Sequence, residues 1–175
     1  FTQQSAAQAA VNPDDHRRGV GADRFGNIYW IDENGSEIKV LSAGSATTTH
    51  FWSAGDGAQC IAAPAGEFAP AQPLPPPSPQ WLGGLAVTCD HYLVVGVLEP
   101  AGLLVFDLYT GGAPQQWLWP SAVAFAPFDI APRPQGGVWI LDRKKRRVWA
   151  LDRLFNVIPR VAPSVTPAPA EFESA

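Results

Sequence analysis

Three segments of this chain repeat one another, and this repetition constrains the fold more strongly than any single residue. They begin at Gly21, Ala86 and Ala131 and read GADRFGNIYWIDENGSEIKVL, AVTCDHYLVVGVLEPAGLLVF and APRPQGGVWILDRKKRRVWAL. The first segment aligns with each of the other two without a gap. Internal repetition on this scale indicates an architecture in which copies of one small unit are stacked against each other.

Each copy predicts a series of short antiparallel strands. A first strand (20–22, 85–87 and 130–131) is followed by a turn, an apolar run (IYWI, LVVGV or VWIL), a second turn and a return strand (IKVL, LLVF or VWAL). Runs of Val, Ile, Leu and aromatic residues bounded by Gly, Asn, Asp and Pro are typical of strands. Because the runs are apolar at successive positions, we expect both faces of each sheet to be buried. A fourth strand is predicted at 48–52, 116–119 and 156–158.

Four short antiparallel strands that recur at a spacing of 45 residues, as between Ala86 and Ala131, are typical of β-propeller blades. The sequence therefore predicts an all-β fold of about three four-stranded blades in an incomplete ring, because closed propellers have about four to eight blades. The predicted divisions are an N-terminal extension (1–18), blades at 19–63, 81–120 and 121–159, a Pro-rich insertion (64–80) and a Pro-rich linker or tail (160–175). The insertion is interpreted as a surface loop or, alternatively, as a docking strap for a partner.

Composition indicates that other protein covers part of the surface of these blades. Charged residues make up only 16% of the chain, which also contains seven Trp and nine Phe, so we expect apolar surface that something else covers. The cover could be further blades of the same polypeptide, a second copy that completes a six-bladed ring, or a larger assembly. The chain begins at Phe1 without any Met, and we expect a portion or processed product of a longer protein. No apolar run is long enough for a membrane-spanning helix, and the sequence is compatible with the cytoplasm or with a large exported particle.

Candidate catalytic residues are sparse. The three histidines (His16, His50 and His91) lie far apart, and the sequence contains no nucleophile, phosphate-binding or metal-binding motif. His91 occupies a turn in which the other copies have Gly26 and Gly136, so we expect an exposed turn histidine. We therefore predict no catalytic residue, no cofactor and no metal site.

The cysteines and several tryptophans are interpreted as structural. Cys60 and Cys89 lie outside any metal-ligand spacing and are expected to be buried thiols rather than a disulfide. Trp30, Trp139 and Trp149 lie inside the strand runs, which predicts core positions.

One run of charge stands out, in the predicted turn between the second and third strands of the third blade. It consists of Arg143, Lys144, Lys145, Arg146 and Arg147. We interpret it as a solvated turn or, if functional, as a docking site for an acidic protein partner. A formal net charge of −4 and a pI of about 5.2, with no aromatic residues between the basic ones, argue against nucleic acid as the partner.

The segments GNIYWID and GGVWILD, which end at Asp32 and Asp142, resemble the NHL-type repeat of six-bladed propellers. This resemblance covers about two thirds of the chain, although the second copy has Val97 where the others have Asp. The longer segments LAVTCDHYLVVGVLEPAGLLVFDLYTGG and PFDIAPRPQGGVWILDRKKRRVWALD are similar to propeller regions of bacterial phage-tail-like proteins of contractile injection systems.

The NHL-like class also implies an enzymatic alternative, the lactone hydrolases of the gluconolactonase type, which hold a divalent metal in the central channel. Among the first-strand residues that would face such a channel here, only Asp129 could be a ligand, and one carboxylate does not make a calcium site.

The function predicted from these observations is a non-catalytic structural or interaction module, a propeller portion of a larger protein or assembly such as a phage-tail-like particle. Its expected partners are other protein chains or further blades, and neither nucleic acid nor a membrane. The alternatives are part of a six-bladed, metal-dependent lactone hydrolase, and a carbohydrate-binding propeller that uses Trp117 or Trp119.

Overall fold

The computed structural model describes residues 19–61 and 80–159, and the secondary structure of this part is almost entirely β-strand. The N-terminal extension with His16, most of the Pro-rich insertion and the C-terminal tail lie outside the described residues. The twelve strands are β1 (Val20–Ala22), β2 (Ile28–Ile31), β3 (Glu37–Leu41), β4 (Thr48–Ser53), β5 (Gln59–Ile61), β6 (Gln80–Val87), β7 (Tyr92–Glu99), β8 (Gly102–Asp107), β9 (Gln115–Leu118), β10 (Pro127–Pro132), β11 (Val138–Asp142) and β12 (Arg147–Leu151). A single 3-10 turn, Ala54–Asp56, lies between β4 and β5.

The strands form three sheets, which correspond to the three sequence repeats. The first blade has the order β1-β2-β3-β4 and the third has the order β10-β11-β12. The second blade has the order β5-β9-β8-β7-β6, in which only the β5–β9 pair is parallel. This arrangement confirms the predicted fold class, an all-β fold of propeller blades in an incomplete ring.

Two strands differ from the prediction. The prediction of a fourth strand at 156–158 is wrong, because the structure has only a single bridge there, between Leu151 and Val157. A hydrogen bond from the Ile158 amide to the Ala150 carbonyl follows it, and then Pro159, which has no amide hydrogen to extend the ladder. β5 lies within the range 19–63 expected for the first blade, but it pairs with the second.

The core consists of two apolar layers, one on each face of the second blade. β7 and β8 are buried on both faces, as expected, whereas β11 alternates between buried and exposed residues. The expectation of two buried faces is therefore wrong for the first and third blades, because within residues 19–61 and 80–159 no other blade covers their outer faces. The layer toward the first blade includes Tyr29, Ile38, Leu93, Leu104 and Phe106. The layer toward the third blade includes Val94, Leu103, Phe125, Val138 and Ile140.

Glycines in the second blade allow the third blade to approach it closely. The ladder between β6 and β7 is irregular between Leu82 and Leu85, and Gly84 lies in this bulge. A Cβ atom at Gly84 would lie 2.6 Å from Cα of Asp129, and one at Gly96 would lie 2.6 Å from the Pro127 carbonyl oxygen. Glycine inside a strand often marks such a backbone approach, and here it fixes the distance between the two blades.

Candidate interaction sites

The turns of the blades lie at two opposite ends of the arc, because successive hairpin turns of an antiparallel sheet alternate in direction. The turn after the first strand of each blade lies at one end, which we call the His91 end. The turns between the second and third strands, including 143–146, lie at the other, the basic-loop end. The structure therefore keeps His91 and the basic run apart.

The same turn recurs at the His91 end in all three blades. Its closing hydrogen bond runs from the amide of the first residue to the carbonyl of the fifth, at 2.8–3.0 Å, and the fourth residue has a positive φ. The fourth residues are Gly26, His91 and Gly136, with φ values of 88°, 68° and 91°. His91 is therefore the only one of the three with a side chain in a backbone conformation that favours glycine.

His91 is buried, with 2% of its surface exposed, so the prediction of an exposed turn histidine is wrong. Its ring contacts the ring of Phe25 at 5.1 Å and that of Tyr109 at 4.4 Å between centroids. These residues come from the first blade and from the β8–β9 loop, and together they cover the imidazole. Its Nε2 atom has no hydrogen-bond partner within the described part of the chain.

The backbone strain at this position can be measured by two substitutions. His91→Gly and His91→Ala remove the same ring contacts, but only alanine keeps a Cβ atom at positive φ. We expect the glycine variant to be more stable than the alanine variant by about 1 kcal/mol, measured from the midpoints of urea unfolding. Equal midpoints would contradict the left-handed conformation of His91.

The remaining histidine of the described residues lies away from this end. His50 contacts carboxylate oxygens of Glu37 and Asp56, each at 2.7 Å. The hydrogen bond with Glu37, followed by that with Asp56, raises the pKa of His50. The group is exposed, so the bridge is a surface feature of the first blade.

A cavity of about 400 Å³ lies at the His91 end, close to the ends of the first strands. Its lining includes Arg24, Arg133 and Cys89, and no carboxylate. The guanidinium group of Arg24 also lies over the ring of Tyr109, and that of Arg133 lies over the ring of Trp139. Neither ring lines the cavity.

Cys89 is an exposed free thiol, and the prediction that it is buried is wrong. It lies in the turn between β6 and β7, with its sulfur 3.9 Å from the carbonyl oxygen of Pro134. The side chain of Cys60 lies outside the described residues.

The first four residues of the basic run lie where they were predicted, in the turn between β11 and β12, whereas Arg147 begins β12, and all five residues are exposed. Two of its cations rest on aromatic rings: Arg143 lies 4.8 Å from the ring of Phe128, and Arg147 lies 3.2 Å from that of Trp149. Docking of a partner at this run remains a prediction.

The side chain of Asp142 stabilises the turn that carries the basic run. It is completely buried, and its carboxylate accepts hydrogen bonds from the amides of Ala126, Lys144 and Lys145 at 3.0–3.3 Å and from the indole nitrogen of Trp149 at 3.0 Å. Burial alone would raise the pKa of Asp142, but these hydrogen bonds together hold it below the ordinary value. The arrangement orders the turn that presents the five cations.

The tryptophans are more exposed than predicted. Trp139 is 43% exposed, so its core assignment is wrong, and Trp30 and Trp149 are half-buried. Trp117 and Trp119, the residues of the carbohydrate alternative, are also half-buried. The ring of Trp119 packs inside the protein, where it stacks on the ring of Phe125 with 3.8 Å between the centroids.

No three His, Cys, Asp or Glu side chains within residues 19–61 and 80–159 lie close enough to hold a metal ion. Asp129, the candidate channel ligand, is exposed and accepts a hydrogen bond from the amide of Ile130 at 2.9 Å. In the same ranges, no helix is long and apolar enough to cross a membrane.

Apolar side chains are exposed on the outer faces of the first and third blades, which no other blade covers in the part of the chain that the structure describes. They are Val20 and Ile28 on the first blade, and Trp139, Leu141 and Val148 on the third. Val148 and Val20 are 54% and 68% exposed. These two surfaces are called the outer faces below.

Antiparallel sheets stacked face to face, with both outer faces uncovered, define an incomplete β-propeller. Solved structures with a similar fold include streptogramin B lyase, with a TM-score of 0.57 and 15% identity over 89% of this chain. They also include virginiamycin B lyase from Staphylococcus aureus, in a selenomethionine-substituted form (0.56, 14% and 87%) and as a catalytically inactive histidine-to-alanine variant with quinupristin (0.56, 13% and 87%). The chain covers 43% of each of these proteins, and at such identities the likeness shows the fold alone. No protein-family profile matches the sequence, and no curated protein matches it significantly.

Proposed function

We propose that this chain is a non-catalytic interaction module, an arc of three blades that completes its ring with further blades. The observation that carries the proposal is the pair of exposed apolar outer faces. Full burial of an exposed Val, Leu or Ile side chain in an interface stabilises the associated state by about 1.5–3 kcal/mol. Covering both faces therefore provides a substantial driving force for association.

The kind of contact that the outer faces would make already occurs twice inside the chain. The second blade packs on the first through one apolar layer and on the third through another. A further blade on either outer face would repeat this packing.

A second copy of this chain is the partner to which we commit. The outer face of the first blade of one copy would pack on the outer face of the third blade of the other, a heterologous contact that can close into a ring. Two copies give six blades, within the range of about four to eight that closed propellers have. Since one copy covers 43% of streptogramin B lyase, two copies correspond to most of the length of that propeller.

Two other partners for the outer faces remain as alternatives. Further blades of the same polypeptide would cover the same faces, and a phage-tail-like particle would be a larger assembly of the same kind. In either case the basic run at the opposite end stays available for an acidic protein partner. The lactone-hydrolase alternative requires metal ligands from blades that lie outside this chain.

The proposal predicts that charge on one outer face abolishes association. The full chain is expected to have twice its monomer mass of 18.7 kDa, and the double variant Leu141→Lys, Val148→Lys is expected to be a folded monomer. Light scattering after size-exclusion chromatography measures the mass, and circular dichroism checks the fold. The control is Val123→Lys, an exposed position outside the outer faces, which should keep the dimer mass. A folded wild-type chain that stays monomeric at its highest soluble concentration would overturn the proposal.

A further inference from the structure

A second cavity, which we call the inter-blade cleft, lies between the second and third blades at the His91 end. It has a volume of about 510 Å³, within the range of about 300–1,000 Å³ found for small-molecule sites. Its walls are β7, the β8–β9 loop and β9 of the second blade, and the turn that follows β12 of the third. It is separate from the outer faces, so it does not depend on how the ring is completed.

Three aromatic side chains line the inter-blade cleft. Phe155 lies between the other two, with its ring centroid 5.9 Å from that of Tyr92 and 6.1 Å from that of Trp117. Tyr92 and Trp117 belong to the second blade and Phe155 to the turn after the third. The three rings therefore form one aromatic patch in the lining, to which both blades contribute.

Phe155 is held in this place at a cost in backbone energy. Its φ is 62°, and its turn repeats the hydrogen-bond pattern of the turns that contain Gly26 and Gly136. A bulky residue in this conformation is an energetically unfavourable outlier. Such strain is found most often at functional sites, and its effect here is to place a ring in the cleft.

The rest of the lining includes hydrogen-bonding side chains, among them Asp107, Thr110 and Gln115, as well as apolar ones such as Val105 and Leu154. Hydrogen bonds from the backbone of Thr110 and then of Tyr109 outweigh the effect of burial and lower the pKa of Asp107, so its carboxylate stays ionised. Arg153 also lines the cleft, but its charge is paired with Asp90 at 2.7 Å. The rim therefore offers acceptors and amide donors, and its main cation is already neutralised.

The indole nitrogen of Trp117 does not add a donor to the cleft. It is buried and has no hydrogen-bond partner among the residues that the structure describes. A ligand in the cleft would therefore meet the ring of Trp117 and not this nitrogen.

We propose that the inter-blade cleft binds a short neutral oligosaccharide. A sugar ring has an apolar C–H face that can lie on an aromatic ring, and hydroxyl groups that need both donors and acceptors. An anionic ligand would be repelled by Asp107, and a purely apolar ligand would leave the polar rim without partners. A neutral sugar satisfies both parts of the lining.

The test is a titration of the full chain with maltotriose, cellotriose and triacetylchitotriose, followed by tryptophan fluorescence and calorimetry. At least one of the three sugars is expected to bind. Gln115→Ala should lower the affinity for that sugar at least fivefold, and Trp117→Ala should lower it further. The matched control is Gln135→Ala, an exposed glutamine of the β10–β11 turn outside the cleft, which should leave the affinity unchanged.

Two results would overturn the proposal. One is the absence of any fluorescence or heat change with all three sugars at millimolar concentration. The other is sugar binding that both cleft variants leave unchanged. Because Gln115 is exposed, its variant tests the proposal even if Trp117→Ala fails to fold. Dimer mass is measured separately, so a failure here leaves the ring proposal to its own test.

Discussion

Replacing Gly84 with valine is expected to destabilise the chain by about 3 kcal/mol or more, or to prevent the third blade from docking. A Cβ atom at this position would lie 2.6 Å from Cα of Asp129, 2.8 Å from the carbonyl oxygen of Phe128 and 2.9 Å from the amide nitrogen of Ile130. All three are backbone atoms of β10, so no rotation of a side chain can relieve the overlap. The strands can accommodate valine only by moving the two blades apart.

Urea unfolding followed by tryptophan fluorescence measures this effect. Gly55→Ala is the control, because its Cβ atom would meet nothing closer than the Ser53 hydroxyl oxygen at 3.8 Å, and we expect a change below about 1 kcal/mol. A Gly84→Val midpoint equal to that of the wild type would show that β6 and β10 are not in backbone contact.

Replacing Asp142 with alanine is expected to lower the free energy of unfolding by about 3 kcal/mol or more. The substitution leaves three backbone amides and the Trp149 indole without their acceptor, and each buried unsatisfied donor costs about 1–3 kcal/mol. Asp129→Ala is the control, since that carboxylate is exposed. If both variants unfold at the same urea concentration, Asp142 does not anchor its turn.

Acid unfolding provides a second readout for Asp142. Its pKa in the folded protein is below the ordinary value of 3.8, so the unfolded chain takes up the proton first as pH falls. The stabilisation is therefore complete above the ordinary pKa and is lost as pH decreases through the folded value. Below about pH 4 the wild type should lose stability more steeply than Asp142→Ala.

The strands and the blade order could be predicted from the sequence because the repeats align without gaps. β2 coincides with the apolar run IYWI, and β4 lies where the first copy was expected to continue. Burial was harder to predict, because it depends on which blade has a neighbour. Trp139 and Tyr29 both lie inside apolar strand runs, yet Tyr29 is buried against the second blade while Trp139 is on an outer face.

Of the residues that line the inter-blade cleft, only Trp117 was a candidate from the sequence, because the other aromatic residues of its lining come from different parts of the repeats. Tyr92 and Phe155 meet across two blades, and no spacing in the sequence relates them. One signal was present: His91 replaces the glycine that the other two copies have in this turn. A side chain that replaces glycine in a repeated turn is a candidate for special structure. The strand glycines Gly84 and Gly96 likewise signalled the close approach of the third blade.

β5 makes the two junctions of the arc mechanically unequal. The chain leaves the first blade through β4 and then pairs in parallel with β9 of the second blade, so it works as a clasp between these two blades. Pulling them apart requires the β5–β9 ladder to unzip, whereas the described residues contain no such exchanged strand between the second and third blades. Under load, separating the first and second blades should therefore require main-chain hydrogen bonds to break in addition to the apolar layer, whereas the second and third blades are held by their apolar layer and close backbone approach.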